Sequence, residues 1–351
     1  MIPQEKSAAV TQGLREAFGV TEFEEIRTIT KGRTSSLVLR IVVRGNPYLL
    51  KIIMRANTIS PARQFGCMRA AAEAGIAPQV RYTSIENGIS ITDFVEEIPF
   101  PASEALVRMP AVLRTLHALP PFPGVENRFN TTCLFLLNQG AARDGFIQHF
   151  RASNIFSKSE CDEFFGWLEQ VAAVYPHDEA NMVSSHNDMF KPDNILFDGQ
   201  HVWLVDWEAA FRNDRYADLA AVANLLVTNE SEERAFLKSY FGQEPDAYQL
   251  ARLFLMKQVA HMFYAMAFLP QGSPGPVSQS ESAPSFRDFQ RRFWTGEVAL
   301  VDSQAKGTYG KVHWERLLMN MRQGRFEEAL RIVSERHAGS QVPTPEVAVQ
   351  V

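Results

Sequence analysis

The sequence predicts an α+β protein with a small β-rich lobe followed by a larger, mostly helical one. Three observations carry this. The first 95 or so residues alternate short β-rich runs with turn signals around one helix. From Pro99 onward the texture becomes helical, punctuated by Pro101, Pro120, Pro121 and Pro123. The length of 351 residues is also enough for about two domains or lobes.

Taken in order, a short N-terminal helix leads into strands over Thr21–Thr30 and Ser35–Val43. Between them lies the single-glycine turn Thr30-Lys31-Gly32-Arg33-Thr34-Ser35. Gly45-Asn46-Pro47 signals another turn, and Tyr48–Met54 reads as a third strand with apolar residues around Lys51. Pro61–Ala74 is Ala-rich and stops at Gly75 with Pro78 just beyond, as a helix should. Val80–Ile85 and Ile89–Phe94 flank Glu86-Asn87-Gly88; an Asn-Gly pair between β-rich runs signals a hairpin. In the second lobe, Ser157 and Glu160 have capping-box spacing ahead of a helix running to about Val174. Ile195–Phe197 and Val202–Asp206 form a strand–turn–strand around Asp198-Gly199. Tyr216–Val227, Glu230–Tyr240 and Asp246–Phe268 read as helices, Ser273–Pro284 as a loop, and helices resume through Glu335. The expected division is 1–95, 96–337 and a frayed tail over 338–351.

Composition narrows the class. Lys plus Arg number 35 against 40 Asp plus Glu, a net charge of −5, so no basic balance points to nucleic acid. Hydrophobic residues at 46% argue against whole-chain disorder. Cys67, Cys133 and Cys161 are scattered and form no CxxC pair, so neither a disulfide framework nor a zinc site is expected. The N-terminus lacks a signal-peptide pattern, and the apolar stretch Val259–Leu269 is too short to span a bilayer. A cytoplasmic protein without a membrane partner is the expectation.

The chemistry concentrates in Ser185-His186-Asn187-Asp188-Met189-Phe190-Lys191-Pro192-Asp193-Asn194, followed by Val205-Asp206-Trp207-Glu208. Phosphoryl transfer needs a carboxylate to take or orient the acceptor hydroxyl, oxygen ligands for Mg²⁺, and a cation at the transferring group. Asp188, Asn194 and Asp206 supply such oxygens from the ends of short strands, while Lys191 reads by itself as a solvated loop charge. The His186-x-Asp188…Asn194…Asp206 pattern resembles the catalytic and metal loops of the protein-kinase-like fold. Its details resemble the small-molecule branch, the aminoglycoside phosphotransferase and choline kinase superfamily, over roughly residues 20–230.

That resemblance implies an ATP- and Mg²⁺-dependent kinase. It makes Asp188 the catalytic base, Asn194 and Asp206 magnesium ligands, and His186 a brace for the loop. The turn with Gly32 and Thr34 would cover the phosphates, and Lys51 would grip them, with Lys191 a further contact. Thr92–Glu96, with Asp93 and Val95, would form the hinge that binds adenine. Asp206-Trp207-Glu208, Asn213 and Asp218 resemble the choline and ethanolamine kinase pattern. This makes Glu208, Asn213 and Trp207 candidates for a cationic small alcohol such as choline, with an antibiotic acceptor or a non-catalytic binder as alternatives. Glu208 reads equally as a loop-bracing carboxylate. Trp207, Trp294, Phe211, Tyr216, Phe263 and Tyr264 read as core or as an aromatic box.

Two departures stand out. Asp188 and Asn194 are six apart where the family has five, so alignment from the other end makes Asp193 the ligand. The helix that would supply an acid to Lys51 offers only Gln64 at its start and Glu73 near its end.

Overall fold

The structure is a computed structural model and describes residues 2–29, 36–54, 60–122, 133–137, 140–176, 179–272 and 283–340. The β-rich runs form one antiparallel sheet in the order β1-β2-β3-β5-β4. Its strands are β1 (Glu25–Thr28), β2 (Ser36–Val43), β3 (Asn46–Ile53), β4 (Val80–Ser84) and β5 (Ile89–Asp93). Period-two alternation sends Leu39, Ile41, Leu50, Ile52, Ile89 and Ile91 into one core with Val10 and Leu14 of α1 (Gln4–Phe18). Leu50 and Ile52 face that core, so Lys51 between them is turned to the opposite side of the sheet. Asn87-Gly88 closes the β4–β5 hairpin, with Gly88 at φ 63°; a Cβ there would also meet Ile53 Cβ at 3.1 Å. Helix α2 (Pro61–Glu73) packs on the edge strand β4 and on residues 207–210 of the second lobe.

The second lobe is built around α8 (Ala247–Phe268), started by a capping box from Asp246 and Gln249. It is longer than the apolar stretch read from sequence and apolar enough to cross a bilayer. However, 78% of its most apolar window is buried, against α6 (Arg215–Leu226), α10 (Ser303–Met321) and α11 (Gly324–Ser340). It is a core helix, and this packing is what its apolarity serves. Around it lie α3 (Ala102–His117), α4 (Ala141–Ala152), α5 (Lys158–Val174), α7 (Glu230–Phe241) and α9 (Phe286–Trp294). The capping box at Ser157 is formed: its N–H donates to Glu160 at 2.8 Å, and the Glu160 N–H returns to Ser157 Oγ at 3.3 Å. Helix α11 continues to Ser340, past the boundary drawn from sequence at 337.

Two short ribbons hold the chemistry-bearing segment. β7 (Ile195–Phe197) pairs with β8 (Val202–Leu204), as the Asp198-Gly199 turn predicts. β6 (Met182–Ser185) pairs with β9 (Phe211–Asp214), a pairing between four-residue runs that sequence periodicity does not reveal. The 3₁₀ turns Pro192–Asn194 and Trp207–Ala209 follow the two loops of interest.

Candidate active site

The loop after β6 is fixed from below. Asp218, fully buried on α6, accepts the backbone N–H of His186 at 2.9 Å and of Asn187 at 2.8 Å. His117 Nε2 lies 3.3 Å from the same carboxylate, and its Nδ1 lies 2.6 Å from the Tyr240 hydroxyl. His186 Nδ1 accepts the Asp188 N–H at 3.3 Å, so Nε2 carries the proton that bonds the Val205 carbonyl at 2.8 Å. The ring thus ties the Asp188 loop to the Asp206 loop. Asn187 and Asp206 both have left-handed backbone, at φ 67° and 65°, which turns the chain sharply at each.

Above this frame the charged groups converge. Lys191 Nζ donates to Asp188 Oδ2 at 2.7 Å, and Asn194 Nδ2 donates to the same oxygen at 2.9 Å and to the Asp188 carbonyl at 2.8 Å. The extra residue between Asp188 and Asn194 leaves Asn194 buried against Asp188, while Asp193 is exposed. From the sheet, Lys51 Nζ reaches Asp206 Oδ1 at 2.6 Å. The acid paired with Lys51 is therefore Asp206 rather than a residue of α2. Instead, α2 contributes Arg63, whose guanidinium donates to the Glu208 carbonyl at 3.3 Å.

These groups feel one another. Burial pushes the Asp188 carboxyl above its ordinary value, against the opposing pull of Lys191. Burial also works against ionisation of Asp206, yet the Lys51 ammonium holds that carboxyl below its ordinary value. Glu208 is pushed up by burial, then by the charge of Asp206 and, more weakly, Asp188. Lys191 is held protonated by Asp188, Asp206 and Glu208 despite burial. Three carboxylates and two lysines thus share one cleft.

Several expected residues lie elsewhere. Trp207 is 2% exposed; its indole N–H donates to the Leu204 carbonyl, and its ring packs on His186 and Phe122. Asn213 is fully buried and donates to Asn187 Oδ1 at 2.6 Å. Both brace the loops, Trp207 through the Leu204 carbonyl beside Asp206 and Asn213 through Asn187 beside Asp188. Nor do the six rings form a box: Tyr216 packs under Arg252, and Trp294 bonds to the Phe100 carbonyl. Asp93 ends β5 with its carboxylate gripped by Arg81 at 2.7 and 2.8 Å. Val95 follows in half-buried backbone, and Ile98 N–H bonds the Phe197 carbonyl at 2.8 Å, joining this linker to the β7–β8 ribbon. Gly32 and Thr34 lie outside the described residues.

Sequence reasoning left Asp218 without a role, although its place in the motif was visible. It also missed the buried Arg252–Asp214 pair at 2.6 Å, which anchors the start of α6 among Tyr175, Tyr216 and Tyr248.

The two-lobed fold, with Lys51 of the sheet bonded to Asp206 of the helical lobe, is that of the protein-kinase-like phosphotransferases. The chain belongs to the phosphotransferase enzyme family (APH), whose model matches residues 25–253. Among solved structures it is similar to a choline/ethanolamine kinase family protein from Mesorhizobium loti, at 19% identity and TM-score 0.61 over 94% of this chain and 99% of that one. It is also similar to a choline kinase from Streptococcus pneumoniae, at 16% identity and TM-score 0.54 over 84% and 98%. A macrolide 2′-phosphotransferase from Brachybacterium faecium matches at 16% identity and TM-score 0.52 over 82% and 97%. No curated protein matches the chain. These likenesses establish the fold, and members of the family are kinases acting on small-molecule hydroxyls.

Proposed function

We propose that this enzyme transfers the γ-phosphoryl group of ATP to the hydroxyl of a small cationic alcohol, choline or a related amino alcohol. The observation that carries the reading is the convergence of two lysine–carboxylate contacts, Lys51–Asp206 at 2.6 Å joining the lobes and Lys191–Asp188 at 2.7 Å within the loop beside it. Asp188 accepts the hydroxyl proton as the acceptor oxygen bonds to phosphorus and the bond to the ADP oxygen breaks. Lys191, beside Asp188, contacts the transferring group, and Lys51 contacts the phosphates behind it.

Asp206 and the amide oxygen of Asn194 are hard donors, and a carboxylate plus substrate oxygens suit Mg²⁺. Asn194 commits its nitrogen to Asp188, which leaves its oxygen for a cation. Bound there, Mg²⁺ offsets charge on the phosphates. The backbone of Val95 serves adenine; among the described residues no hydrogen bond uses it. Glu208, half-buried beside the cluster, is the one expected acceptor residue that remains at the cleft, and its charge suits an ammonium group.

The test is ADP formation with ATP and Mg²⁺ against choline, ethanolamine, other amino alcohols, sugars, macrolides and aminoglycosides. Turnover is expected with one amino alcohol and lost by more than about a thousandfold in Asp188→Asn, with nucleotide binding retained. Near-normal turnover in that variant refutes the assignment, and turnover only with an antibiotic refutes the acceptor class.

A further inference from the structure

Lys51 stands mid-strand in β3, and the sheet register sets Ser90 of β5 directly opposite it. Ile89 and Ile91, on either side of Ser90, face the core shared with α1, so Ser90 is on the cleft face with Lys51. Side chains opposed in this way have Cβ atoms about 4.5–5.5 Å apart. Thr83 of β4 comes next along the same row, and its hydroxyl is taken by Arg69 of α2 at 2.6 Å. Ser90 is 3% exposed. Among the described residues its hydroxyl has no hydrogen bond, yet it is not sealed from solvent.

The same holds for the amide of Gln64 on α2, a residue 6% exposed. Its neighbour Arg63 bonds the Glu208 carbonyl, and Cys67, one turn on, has its Sγ 3.9 Å from the Ala210 carbonyl. Gln64 therefore lies on the face of α2 turned to the loop that carries Asp206. Ser90 stands beside the root of Lys51, and Gln64 over the loop at its tip. The lysine ammonium has three N–H donors and spends one, on Asp206. A cation with donors to spare is thus accompanied by two unused acceptors, at buried residues where most polar groups are paired.

We propose that Ser90 Oγ and Gln64 Oε1 form a second seat for the Lys51 ammonium, taken up whenever its contact with Asp206 is broken. Ser90 and Gln64 are then positioning residues that act through Lys51. Both groups accept hydrogen bonds and neither is charged. Unlike a carboxylate, the seat holds the lysine without offsetting its charge, which stays available to an anion. Use of that charge on nucleotide phosphates rests on the kinase reading above.

The test is acetylation of Lys51 by acetic anhydride, followed by peptide mass spectrometry in the folded full chain. Ser90→Ala and Gln64→Leu are made together in two backgrounds, the natural chain and Asp206→Gly, which removes the acceptor and suits the left-handed backbone at that position. With Asp206 present the pair should leave the Lys51 rate unchanged. In Asp206→Gly it should raise the rate about five- to tenfold, the worth of one neutral hydrogen bond. Ser90→Thr in that background keeps a hydroxyl and should not. A role confined to packing would move the rate alike in both backgrounds. With Asp206 present, the pair should also raise KM for ATP about fivefold at constant kcat. An equal rise in both backgrounds, no rise in Asp206→Gly, or an unchanged KM overturns the proposal. Absence of turnover with every acceptor refutes the kinase reading alone, since acetylation needs none.

Discussion

Acidification from about pH 7 to about pH 5 should cost this protein about 2 kcal/mol of stability through buried His313, with its partner His261 acting in the same direction. His261 on α8 and His313 on α10 are each 1% exposed, and their Nδ1 atoms lie 2.7 Å apart. One N–H fits between them, so two imidazolium rings there would set donor against donor. Burial pushes His313 down to about 3. Burial, then the His313, Lys257 and Arg316 charges, hold His261 well below its ordinary value. Both folded pKa values are depressed. The unfolded chain therefore binds protons below about 6.5 that the folded chain refuses, and stability present above that pH is lost as pH falls toward 3. At about 1.36 kcal/mol per pH unit, His313 alone contributes about 2 kcal/mol between pH 7 and pH 5, and His261 adds to the loss in the same direction.

The raised carboxyls of Asp188 and Glu208 act in the opposite sense. The assay is urea unfolding at several pH values, with the denaturant slope checked for constancy. Between about pH 6 and pH 5 His313 should contribute a linkage slope of about 1.2 kcal/mol per pH unit, and the measured slope should fall by about that amount in His313→Gln. A flat profile over this range, or an unchanged slope in the variant, refutes the reasoning.

Three further outcomes are expected. Arg252→Met leaves the Asp214 carboxylate buried without its cation and should destabilise the protein by about 3–5 kcal/mol in urea unfolding. Lys51→Met removes the cation that holds Asp206 ionised and should lower kcat/KM for nucleotide by about a hundredfold or more, while far-ultraviolet circular dichroism stays unchanged. Glu208→Gln should raise KM for a cationic acceptor about tenfold and leave a neutral alcohol unaffected, measured by the same ADP assay.

Local signals were readable in the sequence wherever the chain decides its own conformation. The Asn87-Gly88 hairpin, the Ser157–Glu160 capping box and the β7–β8 ribbon each depend on residues a few positions apart. The loop with Asp188, Asn194 and Asp206 was legible for a different reason: its residue pattern resembles the catalytic and metal loops of the protein-kinase-like fold. What escaped depends on the fold bringing distant residues together. Lys51 finds its acid 155 residues away, which no reading of α2 could supply. His261 was recognisable as buried on an apolar helix, but its partner His313 is 52 residues distant. Trp207 and Asn213, read as acceptor contacts, lie buried, because a motif records which residue types recur, while their partners, the Leu204 carbonyl and the Asn187 amide, decide which way they face.

The carboxylate of Asp218, holding two consecutive amides, has a mechanical consequence. It makes the Asp188 loop part of the same body as α6, so Lys191 and Asp188 travel together with the helical lobe. Lys51 rides on the sheet. If the lobes separate to admit a nucleotide, one lysine–carboxylate contact stretches while the other stays at rest, and the gap opens on the Asp206 side. The cleft is then a jaw with a stationary anvil beneath the hydroxyl and a moving clamp over the phosphates. On the proposed roles, acceptor geometry would be kept through each opening, whereas the grip on the nucleotide would be remade.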